Sequence, residues 1–233
     1  GLVGLWHFNN ESAFGENATG GDGDIVRDFS PDVNSERAGG VRNNGTTKNG
    51  ATINKTNYKL GGGAGQFDGT NDYVDMGSNP ILNVNDFTIT FWVKPLSTGT
   101  TKYIIAHSTS SVSRFAIEID RTARRISSLS NSATVAVTSN TDLIVNGWNH
   151  ITITRVANVH TVYLNSISDG SGGSAAAEAG GSVTIGRGFD SFYSNIVIDE
   201  VSIWNRSLSS AEIMNLYKRG ALKLNLSVRS CDD

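Results

Sequence analysis

Phe87-Thr88-Ile89-Thr90-Phe91-Trp92-Val93-Lys94 alternates with a period of two. Successive side chains of a strand point to opposite faces, so Phe87, Ile89, Phe91 and Val93 share one face. Thr88, Thr90, Trp92 and Lys94 share the other. Pro95 follows, and a proline cannot donate to a ladder, so the strand is expected to stop there. Trp148 to Val156 repeats the pattern, with Ile151 and Ile153 on one side and His150, Thr152 and Thr154 on the other. Ala157-Asn158 then reads as the turn into Thr161-Val162-Tyr163-Leu164-Asn165, where Val162 and Leu164 face in.

Strand signals recur along the chain. Leu2 to Phe8 is a short apolar run. Asn9 to Ala51 is polar and rich in glycine and asparagine, with one short strand at Ile25-Val26. Gly65 to Asp68 and Tyr73 to Met76 read as a hairpin around Gly69-Thr70-Asn71-Asp72. Tyr103 to His107, Arg114 to Asp120, Arg124 to Leu129 and Ala133 to Val137 follow as strands. Ser168 to Gly181 reads as a mobile loop, and Val183 to Gly186 and Ile196 to Trp204 as the last strong strands. One helix is expected. Ser209-Ser210-Ala211-Glu212 is a capping box, Ile213, Leu216 and Tyr217 make an apolar stripe, and Gly220 is a stop signal.

Many short strands and one helix predict an all-β fold: an antiparallel two-sheet β-sandwich with a short C-terminal helix. The 233 residues fit one such domain, since all-β sandwiches run to roughly 200–250 residues. The expected division is a domain over residues 1–220 and an edge strand, or the start of a following module, over 221–233. The 26 glycines against 3 prolines suit strands joined by turns. A net charge of −3, from 19 basic and 22 acidic residues without a long basic run, gives no support for a nucleic-acid or anionic-membrane surface. No apolar run reaches the roughly 20 residues of a membrane span. Cys231, the one cysteine, excludes an internal disulfide; its partner is expected beyond residue 233, the alternative being an unpaired surface thiol.

The motifs in order resemble the laminin-G-like domains of bacteria and archaea, which share the concanavalin A-like jelly roll. Gly4-Leu5-Trp6-His7-Phe8 resembles their opening strand. Asp28-Phe29-Ser30 and Asn44-Gly45-Thr46 resemble an Asp-x-Ser-Gly-Asn-x-x-Gly stretch, split here by an insertion between Ser30 and Asn44. Phe67-Asp68-Gly69 resembles the family's hallmark turn. Trp148-Asn149-His150-Ile151 and Tyr163-Leu164-Asn165 resemble two further strands, with Ser166 where the family has glycine. Ile198-Asp199-Glu200-Val201, Trp204 to Leu208 and Ala211-Glu212-Ile213 resemble its end. The resemblance implies a structural calcium (Ca2+) held between the early and late aspartates, with Asp28, Asn44, Thr46 and Asp199 as its ligands. Oxygen donors of this kind suit calcium. The alternative is that Asp199 caps a turn or pairs with Arg206.

Two ligand surfaces are expected. The outward face carrying Trp92, His150 and Tyr163 is a candidate sugar groove, because aromatic faces stack on sugar rings and hydroxyls read sugar hydroxyls. The segment Arg187, Phe189, Asp190, Phe192, Tyr193 puts three aromatics in a loop between strong strands, where function concentrates. The alternatives are a packed second layer for the first and an apolar plug for the second. Catalysis is not expected. The family's glycosidases use Glu-x-Asp-x-x-Glu, and Glu118-Ile119-Asp120 is followed by Ala123 where the second glutamate belongs. The four histidines lack zinc spacing. The expected function is therefore a non-catalytic, carbohydrate-binding recognition module of an extracellular or cell-surface protein. Its expected partners are a glycan or glycoprotein and further domains of a larger parent chain. The alternatives are a protein–protein adhesion or spacer module and, more distantly, a glycoside hydrolase.

Overall fold

The computed structural model describes residues 1–31, 43–78, 85–97, 102–108, 113–120, 124–130, 134–173, 181–188 and 192–221. Among them are sixteen strands and one α-helix. They are β1 (Leu2–Trp6), β2 (Ile25–Val26), β3 (Gly45–Lys48), β4 (Thr52–Asn54), β5 (Ala64–Asp68), β6 (Tyr73–Ser78), β7 (Phe87–Pro95), β8 (Lys102–Ser108), β9 (Ser113–Ile119), β10 (Ile126–Ser130), β11 (Thr134–Thr138), β12 (Asn149–Val156), β13 (Val159–Leu164), β14 (Ile167–Gly173), β15 (Ser182–Ile185), β16 (Asn195–Trp204) and α1 (Ser210–Ala221). Two antiparallel eight-stranded sheets form. The first runs β14-β13-β12-β7-β16-β5-β4, with β1 also paired to β16; the second runs β11-β10-β9-β8-β15-β6-β3-β2.

The inward face of β7 behaves as its alternation predicts. Phe87, Ile89, Phe91 and Val93 join Ile151, Ile153 and Val162 from the first sheet and Ile105, Phe115, Ile117 and Ile185 from the second in one buried cluster. The register Ile151↔Phe91 and Ile153↔Ile89 stacks these residues in rows across the sheet. Burying such side chains is worth about 1.5–3 kcal/mol each, so this cluster is what holds the two sheets together.

Three readings are corrected. β5 and β6 are not a hairpin, since β5 pairs with β16 and β4 while β6 pairs with β15 and β3. Residues 69–72 carry the chain from one sheet to the other. Asp68 Oδ1 accepts from Thr70 N and Asp72 Oδ2 from Asp68 N, and Gly69 sits at φ 81 against Asn195, where a Cβ would be 2.8 Å from that residue's own Cβ. Turn residues mark a reversal; they do not say whether the returning strand joins the same sheet. Second, residues 167–173 are strand β14, hydrogen-bonded to β13. The Asn165-Ser166 turn holds both residues at positive φ, 51 and 71, as a two-residue hairpin requires. The rest of the expected loop, 174–180, lies outside the described residues. Third, Gly220 lies inside α1 and does not follow it. It is buried against Trp92, and a Cβ there would come within 2.6 Å of the indole. The capping box forms as read, with Glu212 Oε2 accepting from Ser209 N at 2.8 Å and Ser209 Oγ from Glu212 N at 3.4 Å. Residues 222–233, with Cys231, lie outside the described residues.

Candidate functional site

The expected groove on the first sheet is not open. Trp92 and His150 retain 3% and 2% of their exposure. The apolar stripe of α1 needed a surface, and it covers them. Tyr217 stacks on Trp92 at 5.6 Å and 23°, and lies 5.8 Å from His150. Thr152 donates to Thr90 Oγ1 at 3.0 Å, and Thr90 Oγ1 lies 2.9 Å from His150 Nε2. Burial, helped by the Lys59 charge, pushes His150 down to about 3, so the ring is neutral. Tyr163 is half-buried on β13 opposite Thr152. As a sugar platform this face is therefore corrected: Trp92 and His150 are roofed by the helix.

A cleft does open where β16 changes neighbours. Residues 195–198 pair with β5 and residues 201–204 with β1, and between them the register against β7 jumps from Asp199↔Trp92 to Ser202↔Thr90. Glu200, at the bulge, takes φ 53. Such strained positions cost about 1–3 kcal/mol and cluster at functional sites. The bulge turns Glu200 to His7, whose Nδ1 lies 2.6 Å from Glu200 Oε1. That hydrogen bond is the main reason the His7 pKa is raised. His7 also packs 5.3 Å from Phe29, which meets Phe14 edge-on at 5.8 Å. With Glu11 and, from the end of α1, Arg219, these residues line an open cleft of about 550 Å³. Behind it lies a smaller chamber of about 140 Å³, walled in part by Trp92, His150, Trp204 and Leu216; Leu60, Glu200 and Arg219 border both.

The sequence reading missed His7, Phe14, Phe29, Glu200 and Arg219 as a group. They come from segments far apart in the chain. One signal was available: His7 is the polar exception between Trp6 and Phe8, both buried.

Ahead of β16 the expected rim partly assembles. Arg187 and Tyr193 form an isolated bridge, and Arg187 Cζ sits 4.3 Å over the Tyr73 ring. Tyr73 and Tyr193 are 6.3 Å apart, and Phe192 is exposed. Tyr73 is the member that the sequence did not single out. Phe189 and Asp190 lie outside the described residues.

The four expected calcium ligands do not fit a metal centre as arranged. Asp28 Oδ1 accepts from Leu5 N and Ser30 N, and its Oδ2 from Ser30 Oγ and Asn43 N. Asn44 Oδ1 accepts from Asp28 N, and the Thr46 hydroxyl donates to the Asp75 carbonyl. Asp199 caps a turn, its Oδ2 accepting from Lys59 N and Leu60 N and its Oδ1 from Glu200 N. Burial nevertheless raises its pKa to about 7 against the pull of these N–H groups. A cation would have to displace donors already aimed at these oxygens. Among the described residues no three His, Cys, Asp or Glu side chains gather to hold a metal. Arg206 pairs with Glu212 at 2.6 Å, not with Asp199.

Comparison with known proteins places the fold. No curated protein matches the chain. Solved structures do. Domain 4 of AbnA, a GH43 extracellular arabinanase from Geobacillus stearothermophilus solved with arabinotriose, is 16% identical with a TM-score of 0.64, over 93% of this chain and 98% of that one. The botulinum neurotoxin serotype D binding domain is 15% identical with a TM-score of 0.65, over 95% and 52%. Trypanosoma rangeli sialidase with the inhibitor DANA is 14% identical with a TM-score of 0.63, over 93% of this chain but only 32% of the sialidase. The chain thus spans about a third of that enzyme's length. At these identities the likeness is one of fold. The laminin-G family model, described as the concanavalin A-like lectin/glucanases superfamily, matches residues 68–214, more than half of the 233. The chain therefore belongs to the laminin-G branch of the concanavalin A-like lectin/glucanase superfamily.

Proposed function

We propose that this domain is a non-catalytic carbohydrate-binding module of an extracellular or cell-surface protein, and that the sugar rests in the cleft beside the β16 bulge. One observation carries the reading: a concave space of about 550 Å³ brings the half-exposed Phe14 ring together with the His7–Glu200 pair and Arg219. The size is that of small-molecule sites, roughly 300–1,000 Å³. An aromatic face takes the C–H side of a sugar ring, while the imidazole, carboxylate and guanidinium read its hydroxyls by charge-assisted hydrogen bonds. The superfamily and the arabinotriose complex of AbnA domain 4 support the same ligand class. Among the carboxylates near the cleft, Glu11 alone is exposed, accepting from Asn9 Nδ2 at 3.3 Å, and the other two are employed. Asp199 is closed in by three backbone donors, and Glu200 is held by His7. A hydrolase needs one carboxylate free as acid and a second as nucleophile or base.

One site of this kind binds on the order of 10–1000 μM, and several copies in a parent chain raise that through effective concentration. A glycan screen followed by calorimetry tests it, with Phe14→Ala and Glu200→Gln as variants. Both are expected to weaken binding at least tenfold without unfolding the domain, and a reducing-sugar assay to stay flat. No glycan bound, together with capture of a purified surface protein, would replace this reading with adhesion.

A further inference from the structure

Among the described residues the leucines divide by place. Leu129, Leu143, Leu164 and Leu208 are buried, as core leucines are. Leu2, Leu5, Leu60, Leu96 and Leu216 are only half-buried, and all of these except Leu96 line the chamber behind the cleft. The half-buried Trp204 joins them. These side chains come from β1, the loop before β5, β16 and α1. Large apolar groups are ordinarily taken into the core, and gathered around one concave space they mark a place for an apolar ligand group. On the same wall Thr90 and His150 answer each other, Thr90 Oγ1 lying 2.9 Å from His150 Nε2. The charged groups stand where the two spaces meet, since Glu200 and Arg219 border both the chamber and the outer cleft. The volume decides the size. A protein cavity of roughly 150 Å³ takes benzene, and this chamber has about 140 Å³. A pyranose ring would bury hydroxyls there without partners. A single methyl group would leave most of the wall without contacts. One aromatic ring fits, and the Trp204 indole gives it an aromatic neighbour.

We infer that the chamber receives the aromatic ring of an aryl-substituted sugar, an aryl glycoside or aryl ester, whose sugar ring lies in the outer cleft. The aryl group packs on the leucines and on Trp204, while Glu200 and Arg219 hydrogen-bond the sugar hydroxyls beside the linking bond. This rests on the glycan reading above and names the ligand class for the same site.

The test titrates the intact domain with the phenyl β-glycosides of glucose, galactose and xylose against the three methyl β-glycosides. The observables are calorimetry and nuclear Overhauser cross-peaks between the phenyl protons and the methyl groups of Leu60 and Leu216. At least one phenyl glycoside is expected to bind roughly tenfold tighter than its methyl counterpart, as burial of one aromatic ring supplies. It should also show the cross-peaks to both leucines. Leu216→Trp fills the chamber and is expected to bring the two affinities together. Leu60→Phe, on a loop, repeats that test without touching the helix. Equal binding of phenyl and methyl glycosides overturns the inference but leaves the glycan reading standing. A phenyl preference without the cross-peaks, or one that survives in both filled variants, overturns it too, because the ring then binds elsewhere. A preference that emerges only after residues 222–233 are deleted also overturns it, since the chain's own end is then the occupant. Binding of none of the six glycosides overturns it, and a wider glycan screen with no binding then removes the glycan reading as well.

Discussion

The outer faces of the two sheets treat their aromatics in opposite ways. On the first sheet Trp92 lies beneath α1, stacked on Tyr217 and crossed by the Lys59 ammonium at 4.2 Å. On the second sheet Tyr73 of β6 stays half-exposed, as does Tyr193 in the bridge that follows β15, with Arg187 laid over Tyr73. Trp92 on β7 and Tyr73 on β6 both follow the rule of alternation. What separates them is an element more than a hundred residues away from β7, the helix at Ser210–Ala221. Alternation identifies the face turned away from the sandwich core. It does not tell whether that face meets water, because a second layer is added by tertiary packing.

The largest effect that could break this comparison comes from truncating both faces of β7. Phe91→Ala is expected to cost about 3–5 kcal/mol, and Trp92→Ala a similar amount, since both side chains are buried. Chemical denaturation measures both. If Trp92→Ala costs less than about 1 kcal/mol, α1 does not seal the first sheet, and the groove reading of Trp92 and His150 returns.

Those faces also show how much could be read beforehand. The sandwich was legible, because β7, β12 and β13 each carry a period-two pattern that only a strand satisfies. The helix was legible from Ser209 and Glu212, whose side chains cap each other's backbone. The sheet change at Gly69 was not, since a tight turn looks alike whether the chain returns to its own sheet or crosses. Nor was β14. Its Ser-Asp-Gly-Ser-Gly-Gly run has no apolar alternation, and it is held as a strand by backbone pairing with β13. Of the site, Arg187 and Tyr193 were found because they are close in sequence. His7, Phe29, Glu200 and Arg219 were not, because a cleft made by a bulge and a helix end has no local period.

The pH dependence of Asp199 is the next effect in size. Its folded pKa, about 7, lies above the ordinary carboxylate value of 3.8, so the folded state holds this proton more tightly than the unfolded chain. That stability is fully present below about pH 4 and is lost as pH rises through 7. His7, also raised, acts in the same direction, its share being lost above its folded pKa. The melting temperature is expected to fall between pH 4 and 8, and Asp199→Asn to flatten the slope whatever it does to the absolute level. An unchanged slope in Asp199→Asn would show that the backbone donors keep the carboxylate ionised. Melting with calcium and with EDTA belongs to the same experiment. The hydrogen-bonded state of Asp28 and Asp199 leads to the expectation of no shift, and a calcium-induced rise lost in Asp199→Asn would restore the metal reading.

The smallest effect is expected at the open rim, and it separates the two aromatic regions by function rather than by stability. Tyr193→Ala removes a half-exposed ring that touches Tyr73 at 6.3 Å, and Arg187→Ala removes a guanidinium over Tyr73. An exposed cation–π contact is worth about 0.5–1 kcal/mol, and surface substitutions usually stay within about 0.5 kcal/mol. Both variants should therefore melt within a few degrees of the parent protein. Sugar binding is the discriminating measurement. If the ligand sits in the cleft at Glu200, on the other sheet, affinity in Tyr193→Ala and Arg187→Ala stays within twofold while Phe14→Ala loses it. If the pattern reverses, the rim is the recognition surface and the cleft is only a fold in the helix-covered side. A loss in both sets would mean that one long glycan spans the two sheets, and shortening the oligosaccharide should then rescue the rim variants first.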